Sequence, residues 1–86
     1  MPEVSRFYGI IIRLYHREHP PTHFHAIYAE NEALVEIETG NVNQGYLPKK
    51  ALELVNEWRV LRLEELREDW RRAEQELPLL PILPLE

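Results

Sequence analysis

The fold is decided by residues 23–38, which read HFHAIYAENEALVEIE. Apolar and polar side chains alternate in this stretch, and a period of two is typical of β-strands that bury one face. The pattern predicts two antiparallel strands, 23–29 and 33–38. A tight turn at Glu30-Asn31 or Asn31-Glu32 would join them, because asparagine tolerates a left-handed backbone.

The preceding residues predict one more strand, since residues 8–15 read YGIIIRLY and are rich in β-branched and aromatic side chains. The loop that follows contains Pro20-Pro21, which cannot donate hydrogen bonds to a sheet. Pairing the strands across this loop puts Ile12 opposite Ala26. A short strand over residues 42–47 would be a fourth, so we expect a three- to four-stranded antiparallel sheet.

The period changes at Pro48, a residue suited to the first position of a helix. Apolar residues then recur every three or four positions, which predicts helices over 48–61 and 63–76, or one helix bent near Arg62. Their stripe would pack on the apolar face of the sheet in an α+β domain. Its members are Ala51, Val55, Trp58, Leu66, Trp70, Ala73 and Leu77.

The sequence divides into a single domain over residues 1–77 and a proline- and leucine-rich tail over residues 78–86. Proline at every third position excludes a helix in the tail and favours an extended course. Its aliphatic residues leave two interpretations open: a strap on the domain's own core, or a contact with a partner or a second copy in a homodimer.

Composition excludes several classes of protein. The chain has 86 residues, a net charge of -5 and no cysteine. A disulfide framework and a thiolate metal site are therefore excluded, and the acidic balance disfavours nucleic acid as a general partner. No apolar run is long enough to span a membrane and no signal peptide is recognisable, so we expect a cytoplasmic protein without a membrane partner.

The sheet is expected to present a polar face opposite the apolar one. Strand pairing places Arg13 beside His25, and the tight turn places His25 opposite Glu36 or Glu38. The face therefore collects the candidate catalytic residues of the chain, which are His23, His25, Arg13, Glu36, Glu38 and Tyr15.

Three interpretations of this face remain open. Its His–Glu and Arg–Glu pairs could simply stabilise neighbouring strands. The His-x-His motif (HxH) of His23 and His25 could bind a divalent metal ion, with a carboxylate opposite and His19 as a further ligand. Alternatively, His23 or His25 could act in RNase- or phosphoesterase-like acid–base catalysis, with Arg13 stabilising an anion.

Several segments together resemble the bacterial family of the domain of unknown function 4160, over the chain up to about Leu77. The family usually has proline directly before His-Phe-His, where this chain has Thr22. The resemblance is carried by residues 5–15 (SRFYGIIIRLY), 19–26 (HPPTHFHA), 33–38 (ALVEIE) and 47–52 (LPKKAL), by Glu57-Trp58, and by Trp70.

The resemblance implies a partner, because such genes commonly lie beside a second small gene in what is regarded as a toxin–antitoxin module. It therefore implies a small cytoplasmic interaction protein, the toxin-like component, neutralised by a small cognate antitoxin-like protein. No catalytic residue is carried over from the family. The alternatives are metal binding or acid–base chemistry on the His23/His25 face, and a structural domain that self-associates.

Overall fold

The computed structural model describes residues 3–16 and 18–86. Its strands form one antiparallel sheet in sequence order, and both helices follow the sheet. The α+β architecture is confirmed, but the expectation of three to four strands is wrong because the described residues form five. The elements are β1 (Glu3–Phe7), β2 (Ile10–Arg13), β3 (His23–Tyr28), β4 (Asn31–Glu36), β5 (Val42–Gly45), α1 (Lys49–Leu61) and α2 (Leu63–Glu74).

The additional strand arises where one long strand was expected over residues 8–15. Tyr8 and Gly9 instead form a two-residue turn with φ of 51° and 79°, and Phe7 pairs with Ile10 across it. Two successive positive φ values are typical of the type I′ hairpin, whose twist matches that of the flanking strands. The turn was missed because the aromatic Tyr8 fits the composition of a strand, although Gly9 is a residue that favours a turn.

The register between β2 and β3 is as predicted, with Ile12 opposite Ala26 and Arg13 opposite His25. The turn between β3 and β4 was predicted wrongly. It lies at Ala29-Glu30, so that His25 faces Leu34, and Ala29 adopts a φ of 53° that is uncommon for a residue other than glycine. The observed pairing differs from the two predicted ones by two and by four residues, and a period of two keeps each side chain on its expected face.

The core lies between the apolar face of the sheet and α1. Trp58 is fully buried there, with its ring centroid 5.4 Å from that of Phe7 and 5.8 Å from that of Phe24. Val4, Phe7 and Ala33 are buried as well, whereas Tyr28, which alternation places on the apolar face, is 37% exposed. The residues that alternation places on this face and that are buried are Ile10, Ile12, Leu14, Phe24, Ala26, Val35 and Ile37.

Two separate helices follow the sheet, because α1 ends at Leu61 and α2 begins at Leu63. Arg62 between them has φ of -115°, outside helical geometry, which accounts for the break. Neither helix of the described chain has the length and apolar character that crossing a membrane would require.

The C-terminal tail lies on the domain's own core. The Ile82 N–H donates to the Val4 carbonyl of β1 at 2.8 Å, and the Trp58 indole N–H donates to the Leu83 carbonyl at 2.9 Å. Ile82 and Leu85 are buried by this packing. The strap interpretation therefore describes this segment, while a homodimer through the tail stays a prediction.

Gly45 and Gly9 provide a matched test of backbone crowding, because their φ values of 83° and 79° are nearly equal. A Cβ added at Gly45 would lie 2.0 Å from the Glu32 carbonyl oxygen, whereas one at Gly9 would meet only the Tyr28 ring at 3.5 Å. We expect Gly9→Ala to lower the free energy of unfolding by about 1–2 kcal/mol, the ordinary cost of a left-handed alanine. Gly45→Ala should lower the free energy of unfolding by clearly more, as measured by urea denaturation. Equal losses of stability in the two variants would contradict the crowding at β5.

The buried Asp69 on α2 makes the stability of the domain depend on pH. The residue is 1% exposed, and its Oδ1 accepts the Leu80 N–H of the tail at 2.9 Å. Burial raises the pKa of Asp69 and outweighs the opposing effects of the Leu80 N–H and Arg72. The protonated Asp69 carboxyl therefore contributes to the free energy of unfolding. This contribution is fully present below the ordinary pKa of about 3.9 and is lost as pH rises through the pKa of Asp69 in the folded state.

Asp69→Asn keeps an acceptor for the Leu80 N–H but carries no charge, so we expect its stability relative to the wild type to increase as pH rises from about 4 through the folded-state pKa of Asp69. Urea denaturation at several pH values measures the difference. Asp69→Ala, which lacks the acceptor, should be less stable than Asp69→Asn throughout. A difference between Asp69→Asn and the wild type that does not change with pH would contradict the prediction.

Candidate functional site

The polar face of the sheet carries two nearly buried histidines. His23 and His25 alternate with Phe24 along β3, so their rings lie on the face opposite the core. They are nevertheless only 6% and 9% exposed. The loop before β3 accounts for this, because Glu18 and Pro21 both make hydrogen bonds to the histidine rings.

The Glu18 carboxylate lies between the two rings. Its Oε1 is 3.1 Å from Nε2 of His23 and 2.5 Å from Nε2 of His25. Burial raises the pKa of Glu18, but the hydrogen bond with His25 and the charges of both histidines together outweigh it and leave that pKa below its ordinary value. The side chain stays 27% exposed, so solvent reaches the carboxylate from the open side.

The second nitrogen of each ring is held by an oxygen acceptor. Nδ1 of His23 donates to the Pro21 carbonyl at 2.9 Å, and Nδ1 of His25 donates to Oε2 of Glu32 at 2.8 Å. A carbonyl or carboxylate partner on Nδ1 fixes the ring orientation and leaves Nε2 available to a metal ion. Both Nε2 atoms therefore point toward the same carboxylate oxygen.

Aromatic side chains brace the two imidazoles. Tyr15 contacts His25 edge to face, with ring centroids 4.5 Å apart and an interplanar angle of 88°. Trp70 from α2 lies 5.4 Å from His23, and the two imidazoles are 5.5 Å apart. The rings thus have little freedom to turn away from Glu18.

Glu18, His23 and His25 each offer one ligand atom, and the three atoms all lie within 4.8 Å of one another. Bonds of about 2.0–2.2 Å from zinc to nitrogen and oxygen ligands place those ligands roughly 3–3.5 Å apart in a tetrahedral site. The Glu18–His23 distance already fits, and the Glu18–His25 distance needs to lengthen by less than about 1 Å. Two imidazoles and one carboxylate are a donor set suited to zinc, iron or cobalt.

The site opens into a cleft of about 420 Å³ between the loop and the sheet. This size is within the range of about 300–1,000 Å³ typical of pockets for small molecules. The lining residues are Glu18, His19, Pro20, Pro21, His23, His25, Leu34, Asn43 and Gln44. A fourth ligand of a metal ion at Glu18, His23 and His25 would be supplied from this cleft.

The structure brings together only some of the predicted site residues. His23, His25 and Tyr15 lie in contact, and Arg13 pairs with His25 in the sheet without lining the cleft. His19 is exposed at the cleft and lies outside the three-ligand cluster.

Both predicted carboxylates have other partners. Glu36 accepts a hydrogen bond from the Thr39 hydroxyl at 2.8 Å. Glu38 lies beyond the end of β4 and is bound by the Arg67 guanidinium at 2.7 and 2.9 Å, which holds the pKa of Glu38 below its ordinary value. The shifted turn leaves Glu36 opposite His23 in the sheet, but its carboxylate bonds to Thr39, while Arg67 of α2 binds Glu38.

The carboxylates that do reach the histidines, Glu18 and Glu32, were not predicted. Glu32 could have been found, because alternation places it on the same face as Leu34 and Glu36. Glu18 belongs to an irregular loop, whose path has no periodic signal. The only indication was an acidic residue close to two prolines in a loop between paired strands.

Comparison with known proteins gives a single result. No curated protein and no solved structure is significantly similar to the chain. A family model described as Domain of unknown function (DUF4160) matches residues 9–71, from the turn before β2 to the last part of α2. The matched region contains β2 through β5, the loop with Glu18, and both histidines of the site. The chain therefore belongs to the DUF4160 family.

Proposed function

We propose that the protein binds a divalent transition-metal ion through Glu18, His23 and His25, and that the ion acts on a small molecule in the cleft. One observation carries the proposal: two imidazole Nε2 atoms converge on one carboxylate oxygen while both Nδ1 atoms are held by oxygen acceptors. Any such ion would be supported from behind by Glu32 and the Pro21 carbonyl, the arrangement that tunes histidine ligands in metalloproteins.

The N–H groups that the two imidazole rings would need favour a metal ion over a simple ion pair at Glu18. A carboxylate and a carbonyl only accept hydrogen bonds, so each contact of the two rings requires an N–H. All four contacts can be satisfied at once only if both rings are fully protonated. A cation in place of the two Nε2 protons meets the same geometry with neutral rings, and the nearly buried rings then carry no charge of their own.

The reaction class follows from the ligand set. Three protein ligands leave at least one coordination position open, and this is the feature that separates catalytic from structural zinc sites. A metal ion there would polarise a bound oxygen and lower the pKa of a bound water, which is the basis of metal-assisted hydrolysis. Acid–base catalysis by the same histidines without a metal is the competing mechanism.

We expect the wild type to bind one Zn²⁺ or Co²⁺ ion per chain in isothermal titration calorimetry. His23→Ala and His25→Ala should each weaken binding by more than about 100-fold, because loss of a residue that only supports a ligand costs about 10–100-fold. Glu32→Ala is expected in that 10–100-fold range. His19→Ala is the matched control, since it removes an exposed imidazole from the same cleft.

Nitrogen-15 NMR of the histidine side chains tests the same metal site by a second method. On addition of Zn²⁺, the resonances of His23 and His25 should show coordination at Nε2 with the proton retained on Nδ1, while those of His16 and His19 stay unchanged. A folded wild type that binds no metal stoichiometrically would refute the metal proposal and leave metal-free acid–base chemistry. Equal losses in His19→Ala and His25→Ala would refute the assigned ligands.

A second proposed function is binding to a small cognate protein, the toxin-like role that the family resemblance implies. The observation that favours it is β5, the outer strand of the sheet, whose four residues are exposed and uncharged. Natural proteins usually protect such an edge with charges, proline or a covering segment. An extended segment of a partner would pair with β5 by adding a strand.

Co-expression with the product of the adjacent gene tests this role. We expect the two proteins to co-purify, and Val42→Lys in β5 to abolish the association because a charged edge resists strand addition. Val60→Lys is the matched control, since Val60 is also exposed but lies on α1. No association between folded proteins, or equal loss with both variants, would contradict the assignment of β5.

A further inference from the structure

The pairing of β4 with β5 contains a β-bulge. Leu34 pairs with Gln44 and Val35 pairs with Val42, so Asn43 is an extra residue between two paired positions. A bulge breaks the alternation of side chains and turns two successive residues toward one face. Asn43 and Gln44 accordingly both line the cleft of the candidate metal site.

The bulge faces the histidine cluster across the floor of the cleft. His25, Leu34 and Gln44 form one row across β3, β4 and β5. Neighbouring strands are about 4.8 Å apart, so Gln44 lies about 10 Å from His25 along this row. A small molecule held by the two carboxamides can therefore extend over Leu34 to an ion at Glu18, His23 and His25.

The charges around the cleft favour an uncharged ligand. Among the described residues, those that line the cleft include Glu18 and no lysine or arginine. A divalent ion would be balanced by Glu18 together with Glu32 behind His25, which leaves a formal charge near zero. Arg13, across the sheet from His25, is also opposite Glu3, whose pKa is lowered chiefly by the hydrogen bond with Arg6 and to a smaller extent by the charge of Arg13. Besides the ion, a phosphate group would find no lysine or arginine along the described lining of the cleft.

We propose, resting on the metal site above, that Asn43 and Gln44 bind the planar carboxamide-type group of an uncharged small molecule and orient its carbonyl oxygen toward the ion. Each side-chain amide offers an NH₂ donor and a carbonyl acceptor. Paired donors and acceptors of this kind recognise a group that itself presents both in one plane. The bulge is thus a specificity element, and the substrate class is a neutral amide instead of a phosphate ester.

The test uses the full chain loaded with Co²⁺, whose visible absorption reports ligands that enter its coordination shell. The probes are acetohydroxamate, which contains a planar N–H and carbonyl, and inorganic phosphate. A hydroxamate chelates Co²⁺ through its own two oxygens, so the comparison that tests the carboxamides is the affinity of acetohydroxamate for the wild type against its affinity for the variants. Asn43→Ala and Gln44→Ala should each weaken acetohydroxamate by about fivefold, the usual effect of one hydrogen bond, and leave phosphate binding unchanged.

Val42→Ala is the control, because it shortens an exposed side chain of the same strand that does not line the cleft. The Co²⁺ affinity of each variant shows whether its site is still assembled, and Asn43→Ser and Gln44→Ser replace any alanine variant that fails to fold. Equal losses of phosphate and acetohydroxamate affinity, or unchanged acetohydroxamate affinity in both cleft variants, would overturn the inference while the metal site stands. Absence of Co²⁺ binding in the wild type would overturn both.

Discussion

The two faces of β3 are the constraint on which the rest of the structure depends. Phe24 and Ala26 are completely buried in the core, while His23 and His25 alternate with them in sequence and face the cleft. A shift of one residue would put both imidazoles into the core and an aromatic ring into the cleft. The packing of Phe24 against Trp58 therefore fixes the position of the candidate metal ligands as firmly as it fixes the core.

The site combines rigidity on one side with access on the other. Tyr15 and Trp70 restrict the imidazole rings, whereas Glu18 comes from a loop and is partly exposed. Ligands on strands are held more precisely than ligands on loops. The arrangement lets the carboxylate adjust by the small distance that a metal ion requires while the two histidines remain in place.

Much of the fold was predictable because its signals are local and periodic. Alternation identified the buried residues Ile12 and Ala26 and their pairing, and the change of period at Pro48 located the start of the helices. The errors occurred at Tyr8 and Ala29, which adopt left-handed φ values that their side chains do not favour. In both turns tertiary pairing of the flanking strands overrides the preference of a single residue.

The site was predicted less completely because its carboxylates depend on long-range geometry. The histidines could be recognised in the sequence as His-x-His on a strand. Glu38 instead binds Arg67, which lies on α2 and is close to Glu38 only in the folded state. Glu18 comes from a loop whose path is set by its contacts with the histidines themselves. Sequence pattern thus located the face, and only the tertiary structure could show which acids complete it.

The hydrogen bond between Ile82 and Val4 joins segments from opposite ends of the described chain. During synthesis β1 emerges from the ribosome early and the tail emerges late, so this contact cannot form until nearly all described residues are available. A nascent chain that ends before Ile82 therefore lacks the donor to the Val4 carbonyl and the indole acceptor at Leu83, although β1 can already pair with β2. The contacts of the tail with Val4 and Trp58 are thus formed after the sheet and both helices have been synthesised.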